Sequence, residues 1–365
     1  MRCPLRPDAR VAAFAGAVAL ALVSASGLRA QTGLSGRVIT DGEVWSTDSG
    51  SRLLARDDGH VAPLFRMQLF AAAQLGDHWS LHSLTELETG KATDDGKTHV
   101  DFDQAELRYV GSPALIVGVG HFIHPVGAFG ARRFSTVNPL IGEPDAYPDA
   151  YPWGARVEGD LGNFDYRVAA VTLPVSHPGY VPDPGARLRP AAGAGYSFGP
   201  ALHVGLSATI GSYLHRSLQD SVPSGTRWSD YDQRMLAFDA RFSSGYFESH
   251  AELALSGYDV PTRSSPVNGL SYFVEGKYTW SPRFFTALRL EENTYAFVRA
   301  AGVGVWVARD VQMLNGEVGA GYRFSPALLA KVSYRRDRWP PDLAAVLPDG
   351  HGLALQLSYQ AALQP

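Results

Sequence analysis

The chain has 365 residues, 45% hydrophobic and 19% charged, with 38 Gly, 24 Pro, one Cys and a formal net charge of −4. That length allows one large β domain or two ordinary ones, and the glycine and proline content points to many turns. The acidic balance argues against a nucleic-acid partner, whose phosphates demand positive charge, and a single Cys leaves no disulfide and no Cys-ligated metal.

Residues 1–30 have the make-up of a secretory signal. Arg2, Arg6 and Arg10 precede an apolar run from Val11 to Ala25, and small residues follow up to Ala30. The run is short for a membrane span. Removing residues 1–30 takes away four arginines, one aspartate and Cys3, which brings the formal charge from −4 to −7. No later stretch reaches ~18 consecutive apolar residues, so no transmembrane helix is expected in 31–365. An exported protein of this kind is either soluble or a β-barrel.

From Leu34 onward, apolar and polar residues alternate with period two. Sixteen runs follow in order: 34–46, 64–75, 79–90, 98–110, 115–124, 153–161, 164–174, 191–198, 202–213, 231–242, 247–258, 270–280, 284–297, 312–324, 328–337 and 350–359. Tilted membrane strands need about 9–11 residues, whereas soluble strands most often have about five or six. The connections alternate in length. Short ones are 76–78, 111–114, 162–163, 199–201, 243–246, 281–283 and 325–327. Long ones are 47–63, 91–97, 125–152, 175–190, 214–230, 259–269, 298–311 and 338–349. Hairpins joined in this way, with both termini on the short-turn side, are expected of a transmembrane antiparallel barrel with short periplasmic turns and long outer loops. A repeat supports it: Tyr196-Ser197-Phe198-Gly199-Pro200-Ala201-Leu202 recurs as Tyr322-Arg323-Phe324-Ser325-Pro326-Ala327-Leu328.

The two faces of each run differ in charge. In 247–257, Phe247, Ser249, Ala251, Leu253, Leu255 and Gly257 share a face opposite Glu248, His250 and Glu252. In 314–324, Leu314, Val318 and Tyr322 oppose Glu317 and Arg323. Arg or Lys facing lipid at mid-bilayer costs about 2–4 kcal/mol, so the uncharged face is expected to meet lipid and the charged face a wet lumen. Trp79, Tyr109, Phe164, Phe198, Phe242, Phe247, Trp280, Phe284 and Phe324 flank the short turns, where an aromatic girdle belongs. Asp101 and Asp103 break the pattern, since strict alternation places them with Leu107 and Tyr109. Either a bulge re-aims them or that strand starts later.

The stretch 125–152 has no helical or strand period, yet it carries Phe129, Phe134, Leu140, Ile141, Tyr147 and Tyr151. A loop so long is usually functional or disordered, and a solvated linker has no use for that apolar surface. It is expected to pack inside something hollow. Enzymatic chemistry is not legible. No phosphate loop or nucleophile elbow occurs, and neither Ser249-His250 nor His82-Ser83 is a constellation, because strand neighbours diverge. His121 and His124 point to opposite faces and cannot share a metal. Asp57-Asp58-Gly59 and Asp94-Asp95-Gly96 read as solvated turns more readily than as calcium loops. No cofactor is expected.

Over residues 34–359 the chain resembles Gram-negative outer-membrane porins. The order of sixteen strands is similar to that of general and substrate-selective porins. The run Gly118-Val119-Gly120-His121-Phe122-Ile123-His124-Pro125-Val126-Gly127 with Asn138-Pro139-Leu140 is loosely similar to the phosphate-selective porin-like group. The resemblance implies outer-membrane location, lipid contact, a possible homotrimer, and a third outer loop folded into the lumen; 125–152 is third by count. It also implies recognition by the outer-membrane assembly machinery, for which Leu353, Leu355, Leu357 and Tyr359 supply the alternating C-terminal pattern, six residues before Pro365. The function implied is passive passage of small hydrophilic solutes or ions, without enzymatic activity. The alternative is a barrel with an occluded lumen serving as a structural or adhesive surface protein. Charge available to a constriction lies on the loop at Arg132, Arg133, Glu143, Asp145 and Asp149. On wall strands it lies at Glu106, Arg108, Arg156, Glu158, Asp160 and Arg167, all predicted to face the lumen.

Overall fold

The computed structural model describes residues 33–48, 60–93, 96–144, 151–172, 187–261, 263–301, 305–339 and 349–363; the side chains of 294–311 are not described. The signal segment, the outer-loop motif at 57–59 and Asp94-Asp95 fall outside these residues.

Sixteen antiparallel strands close into a barrel. They are β1 (Leu34–Thr47), β2 (Val61–Gln74), β3 (Trp79–Gly90), β4 (His99–Ser112), β5 (Leu115–His121), β6 (Trp153–Leu161), β7 (Phe164–Val171), β8 (Arg189–Phe198), β9 (Leu202–Ser212), β10 (Asp232–Ser244), β11 (Phe247–Tyr258), β12 (Val267–Thr279), β13 (Phe284–Ala301), β14 (Val305–Arg323), β15 (Leu328–Arg338) and β16 (Gly350–Leu363). Each strand pairs with its neighbours in the chain, and β16 pairs with β1 to close the ring. Closure removes the free strand edges that lipid cannot hydrogen-bond.

Period-two alternation sorts the two faces as expected. Outside, β16 presents Leu353, Leu355, Leu357 and Tyr359, and β14 presents Leu314, Val318 and Tyr322, all exposed. Inside, Gln356, Asn315 and Glu317 are buried. Leu253 on β11 faces out and is half-buried, while Glu252 beside it is buried inside. No described helix is long and apolar enough to cross a membrane, and the barrel crosses with strands instead.

The aromatic girdle is built from i, i+2 pairs at strand ends. Tyr196–Phe198, Tyr278–Trp280 and Tyr322–Phe324 have ring centroids 4.8, 4.6 and 4.9 Å apart in edge-to-face contact. The sequence repeat therefore encodes a repeated ring pair beside a tight turn. Trp79 and Tyr109 extend the girdle across β3 and β4, at 5.0 Å.

Two expectations are refined. Asp103 is the extra residue of a β-bulge: Leu84 pairs with Gln104 and Thr85 with Phe102. The bulge turns Phe102 outward and Asp103 inward, where Asp103 is buried. The region 298–311 is not a long loop. β13 and β14 continue in register to Ala301 and Val305, leaving 302–304 between them. The run Ala300-Ala301-Gly302-Val303-Gly304 carries no polar alternation by which a strand could be recognised.

Candidate pore site

The loop after β5 crosses the barrel interior, bonding in turn to inward side chains of many strands. Near its start, Arg167 on β7 donates to the Gly127 carbonyl at 3.0 Å, and Ser207 on β9 accepts from the Gly127 N–H at 3.0 Å. Glu252 on β11 accepts from the Ala128 N–H at 2.9 Å. A 3-10 turn over Phe129–Arg132 then sets Phe129 edge-on to Phe273 of β12, at 5.8 Å. From here Arg132 reaches Glu275 on β12 at 2.7 Å, while Arg133 bonds to Asp103 on β4 and Glu86 on β3. Phe134 packs edge-on to Phe70 of β2 at 5.0 Å.

At the far wall the loop is seated by buried charge. The Lys331 ammonium on β15 donates to the carbonyls of Ser135, Asn138 and Leu140 at 2.9, 3.0 and 2.9 Å. Glu317 on β14 accepts from the N–H groups of Ile141 and Gly142, and Arg289 on β13 donates to the Gly142 carbonyl at 2.8 Å. Arg335 on β15 donates to the Glu143 carbonyl at 3.3 Å. Arg289 lies between Glu275 and Glu317, at 3.3 and 2.7 Å, and all three are nearly without solvent contact. Ile141 is buried with Trp45, Ala62, Leu64 and Ala354. Burial of one such side chain stabilises by about 1.5–3 kcal/mol. The backbone groups of an irregular segment must be satisfied inside protein, and here the wall's charged residues satisfy them.

A second network lies on the wall where the loop begins. Arg156 on β6 forms two bonds to Glu106 on β4, at 2.7 and 2.9 Å, and lies 3.3 Å from Glu158. Arg108 on β4 pairs with Glu158 on β6 and lies 3.4 Å from Glu106. These strands are not neighbours; β5 lies between them. They meet because β5 presents Gly118 to the inside, where a Cβ would fall 2.0 Å from Glu106 Oε1.

Solvent reaches the two walls unequally. Arg289 and Glu317 are 1% and 3% exposed under the loop. Arg108 and Glu158 are 26% and 23% exposed, and Arg66 and Glu88, which pair at 2.8 Å, are 21% and 23%. Charged side chains of both signs on β2, β3, β4 and β6 therefore keep partial contact with solvent, whereas Glu275, Arg289, Glu317 and Lys331, which seat the loop, are dry.

All six predicted wall residues face inward, and Glu106, Arg108, Arg156 and Glu158 form one network, with Asp160 exposed on the same face. Arg167 is used to hold the loop. Arg132 is paired with Glu275, and Arg133 with Asp103 and Glu86, all on the wall. Asp145 and Asp149 lie outside the described residues. Sequence reasoning missed Lys331, Arg289, Glu317 and Glu275, which seat the loop. Their inward register was readable, but no sequence signal links them to a segment more than 100 residues away. It also missed Ser80 and His82, which share a face at i, i+2 and bond at 2.9 Å.

Comparison with known proteins comes from structure alone, since no family model and no curated protein sequence matches the chain. OmpF of Salmonella typhi, solved in complex with daunomycin, matches with TM-score 0.63 at 12% identity, covering 90% of this chain and 97% of that one. OmpT, an outer membrane protein of Vibrio cholerae, matches with TM-score 0.59 at 10% identity, over 92% and 99%. The fold is the porin fold. An anion-selective porin from Comamonas acidovorans also matches, with TM-score 0.57 at 12% identity, over 91% and 100%. At such identities the likeness is one of architecture, shared with this closed outer-membrane-type barrel of sixteen strands.

Proposed function

We propose that the protein is a passive porin channel for small hydrophilic solutes or ions across the outer membrane. The observation that carries this reading is the set of partly solvated ion pairs, Arg66–Glu88 and Arg108–Glu158, on the inner wall of a closed barrel. Such a wall has no role facing lipid and is costly in a dry core. It suits a narrow water column, in which fixed charges act strongly on passing ions. The internal loop narrows that column, and Arg108, Arg156, Glu158 and Asp160 line what remains, with Glu106 buried behind them as the partner of Arg156. Arg132 and Arg133 act there by neutralising Glu275, Glu86 and Asp103. The anion-selective porin and OmpF among the structural neighbours support the channel class. Single-channel recording of purified protein in a planar bilayer tests the reading: discrete conductance steps are expected, and a silent, correctly folded barrel contradicts it.

A second reading, an occluded barrel with a structural or adhesive role, is favoured by one observation. The loop bonds or packs against inward side chains of β2, β3, β4, β7, β9 and β11 to β15. The same recording separates the two readings. We further propose export by way of residues 1–30 and assembly into a homotrimer. A trimer form is described for Vibrio cholerae OmpT. Here the outward faces of β1 and β3 intersperse Gly36, Thr40, Gly42, Ser46, Ser83 and Thr85 with Leu34, Val38, Val44, Trp79, Leu81 and Leu87. Cross-linking in intact membranes tests this; a ladder that stops at monomer contradicts it.

A further inference from the structure

The lumen wall holds a half-open groove of about 360 Å³ at the periplasmic mouth, over the start of β1, the end of β2, the start of β3 and the end of β4. Its polar lining is Ser80, His82 and Arg108, with Gln74 and Ser35 at the rim. Its remaining lining is small or apolar, including Ala72, Ala73 and Val110. No lining residue is acidic, although the lumen just above is crowded with carboxylates.

The donors converge from adjacent strands in register. Ser80 is opposite Arg108 in the β3–β4 ladder, and His82 is opposite Glu106. The Ser80 hydroxyl and His82 Nε2 are 2.9 Å apart, so the pair presents one hydrogen-bonded unit. Arg108 spends its Nη2 on Glu158 and lies beside Glu106 through Nε; among the described residues, its Nη1 has no protein partner. A second cation lies outside the lining, one inward position above Ser35. Arg37 is exposed, 4.5 Å from the Phe70 ring centroid, and no described carboxylate lies within ion-pair distance of it. One arginine, an imidazole and a hydroxyl, with methyl groups beside them, match an anionic head on an apolar body.

We propose that this groove binds a small organic carboxylate, and so marks the class of solute retained at the periplasmic end of the channel. The physiological meaning rests on the channel reading above; the site itself does not. The carboxylate takes the Arg108 edge and the Ser80–His82 pair, while the hydrocarbon part lies against Ala72 and Val110. An inorganic oxyanion could use the same donors but would leave the methyl groups uncovered.

The test uses benzoate as probe, with inorganic phosphate and neutral benzyl alcohol as comparators. Protein folded in detergent, its barrel verified by faster gel migration before heating, is dialysed to equilibrium against labelled benzoate. Saturable binding is expected, weakened about 10-fold or more, ~1.4 kcal/mol for each tenfold, in the double variant Ser80→Ala with His82→Leu. Should that variant not fold, Arg108→Gln gives the same comparison. Phosphate and benzyl alcohol are expected to compete poorly. Absent or non-saturable benzoate binding, or equal binding in wild type and folded variant, overturns the site. Phosphate competing as well as benzoate overturns the assignment to an organic carboxylate. Binding is read without current, so a protein that binds benzoate but conducts nothing refutes the channel and leaves the site standing. One that conducts and does not bind refutes the site alone.

Discussion

Gly142 and Glu317 meet across the barrel: Glu317 Oε1 accepts the Gly142 N–H at 2.9 Å, and a Cβ on residue 142 would fall 2.5 Å from Oε2. The far end of the loop thus fits its seat only without a side chain. Gly142→Val is expected to lift the loop from Glu317 while leaving the barrel closed. Trypsin cleavage at Arg132-Arg133 in the folded protein measures this. Faster cleavage than in wild type is expected; equal rates would show that the seat does not hold the loop.

Arg132 and Arg133 hold three wall carboxylates, so their removal has two consequences. Arg132→Ala with Arg133→Ala leaves Glu275, Glu86 and Asp103 with less compensation, and breaking a buried pair costs about 3–5 kcal/mol. In a salt gradient the reversal potential is expected to move toward cation preference. The temperature at which the unheated gel band converts is expected to fall. An unmoved reversal potential in folded double variant would place the pair outside the conducting path.

The network on β4 and β6 depends on Gly118. A side chain there displaces Glu106 from Arg156, and overpacking alone costs about 1–3 kcal/mol. Gly118→Val is expected to lower the band-conversion temperature more than Asp160→Asn, which alters an exposed lumen charge. Equal stability of the two variants would mean that the Glu106–Arg156 pair contributes little.

Facing is tested by charge on the outer surface. Leu355→Arg is expected to impair folding by about 2–4 kcal/mol if it lies near mid-bilayer, whereas Asp160→Asn folds normally into lipid vesicles. Comparable folding yields would mean that the register has been assigned to the wrong face.

The strands were legible because a lipid-facing wall tolerates no charge and the lumen collects it, as Leu355 beside Gln356 shows. The short turns were legible through their Gly, Pro and aromatic residues. Asp103 could not be placed by counting, because a bulge of one residue reverses every face before it. The continuation of β13 to Ala301 and of β14 back to Val305 was hidden because the residues there do not alternate cleanly. The apolar content of the loop foretold that it would pack inside. Its seat could not be foretold, because Lys331 meets Ser135, Asn138 and Leu140 from 190 or more residues away. Such contacts are fixed by barrel closure, not by local sequence.

The central claim is that the loop narrows a conducting barrel, and paired single-channel recordings test it most directly. Wild type is compared with a variant lacking roughly Ser135 to Asp149, both verified as heat-modifiable barrels in the same bilayer and salt. The account predicts discrete steps in wild type and larger steps in the deletion variant. Equal step sizes, or silence in both, would contradict it.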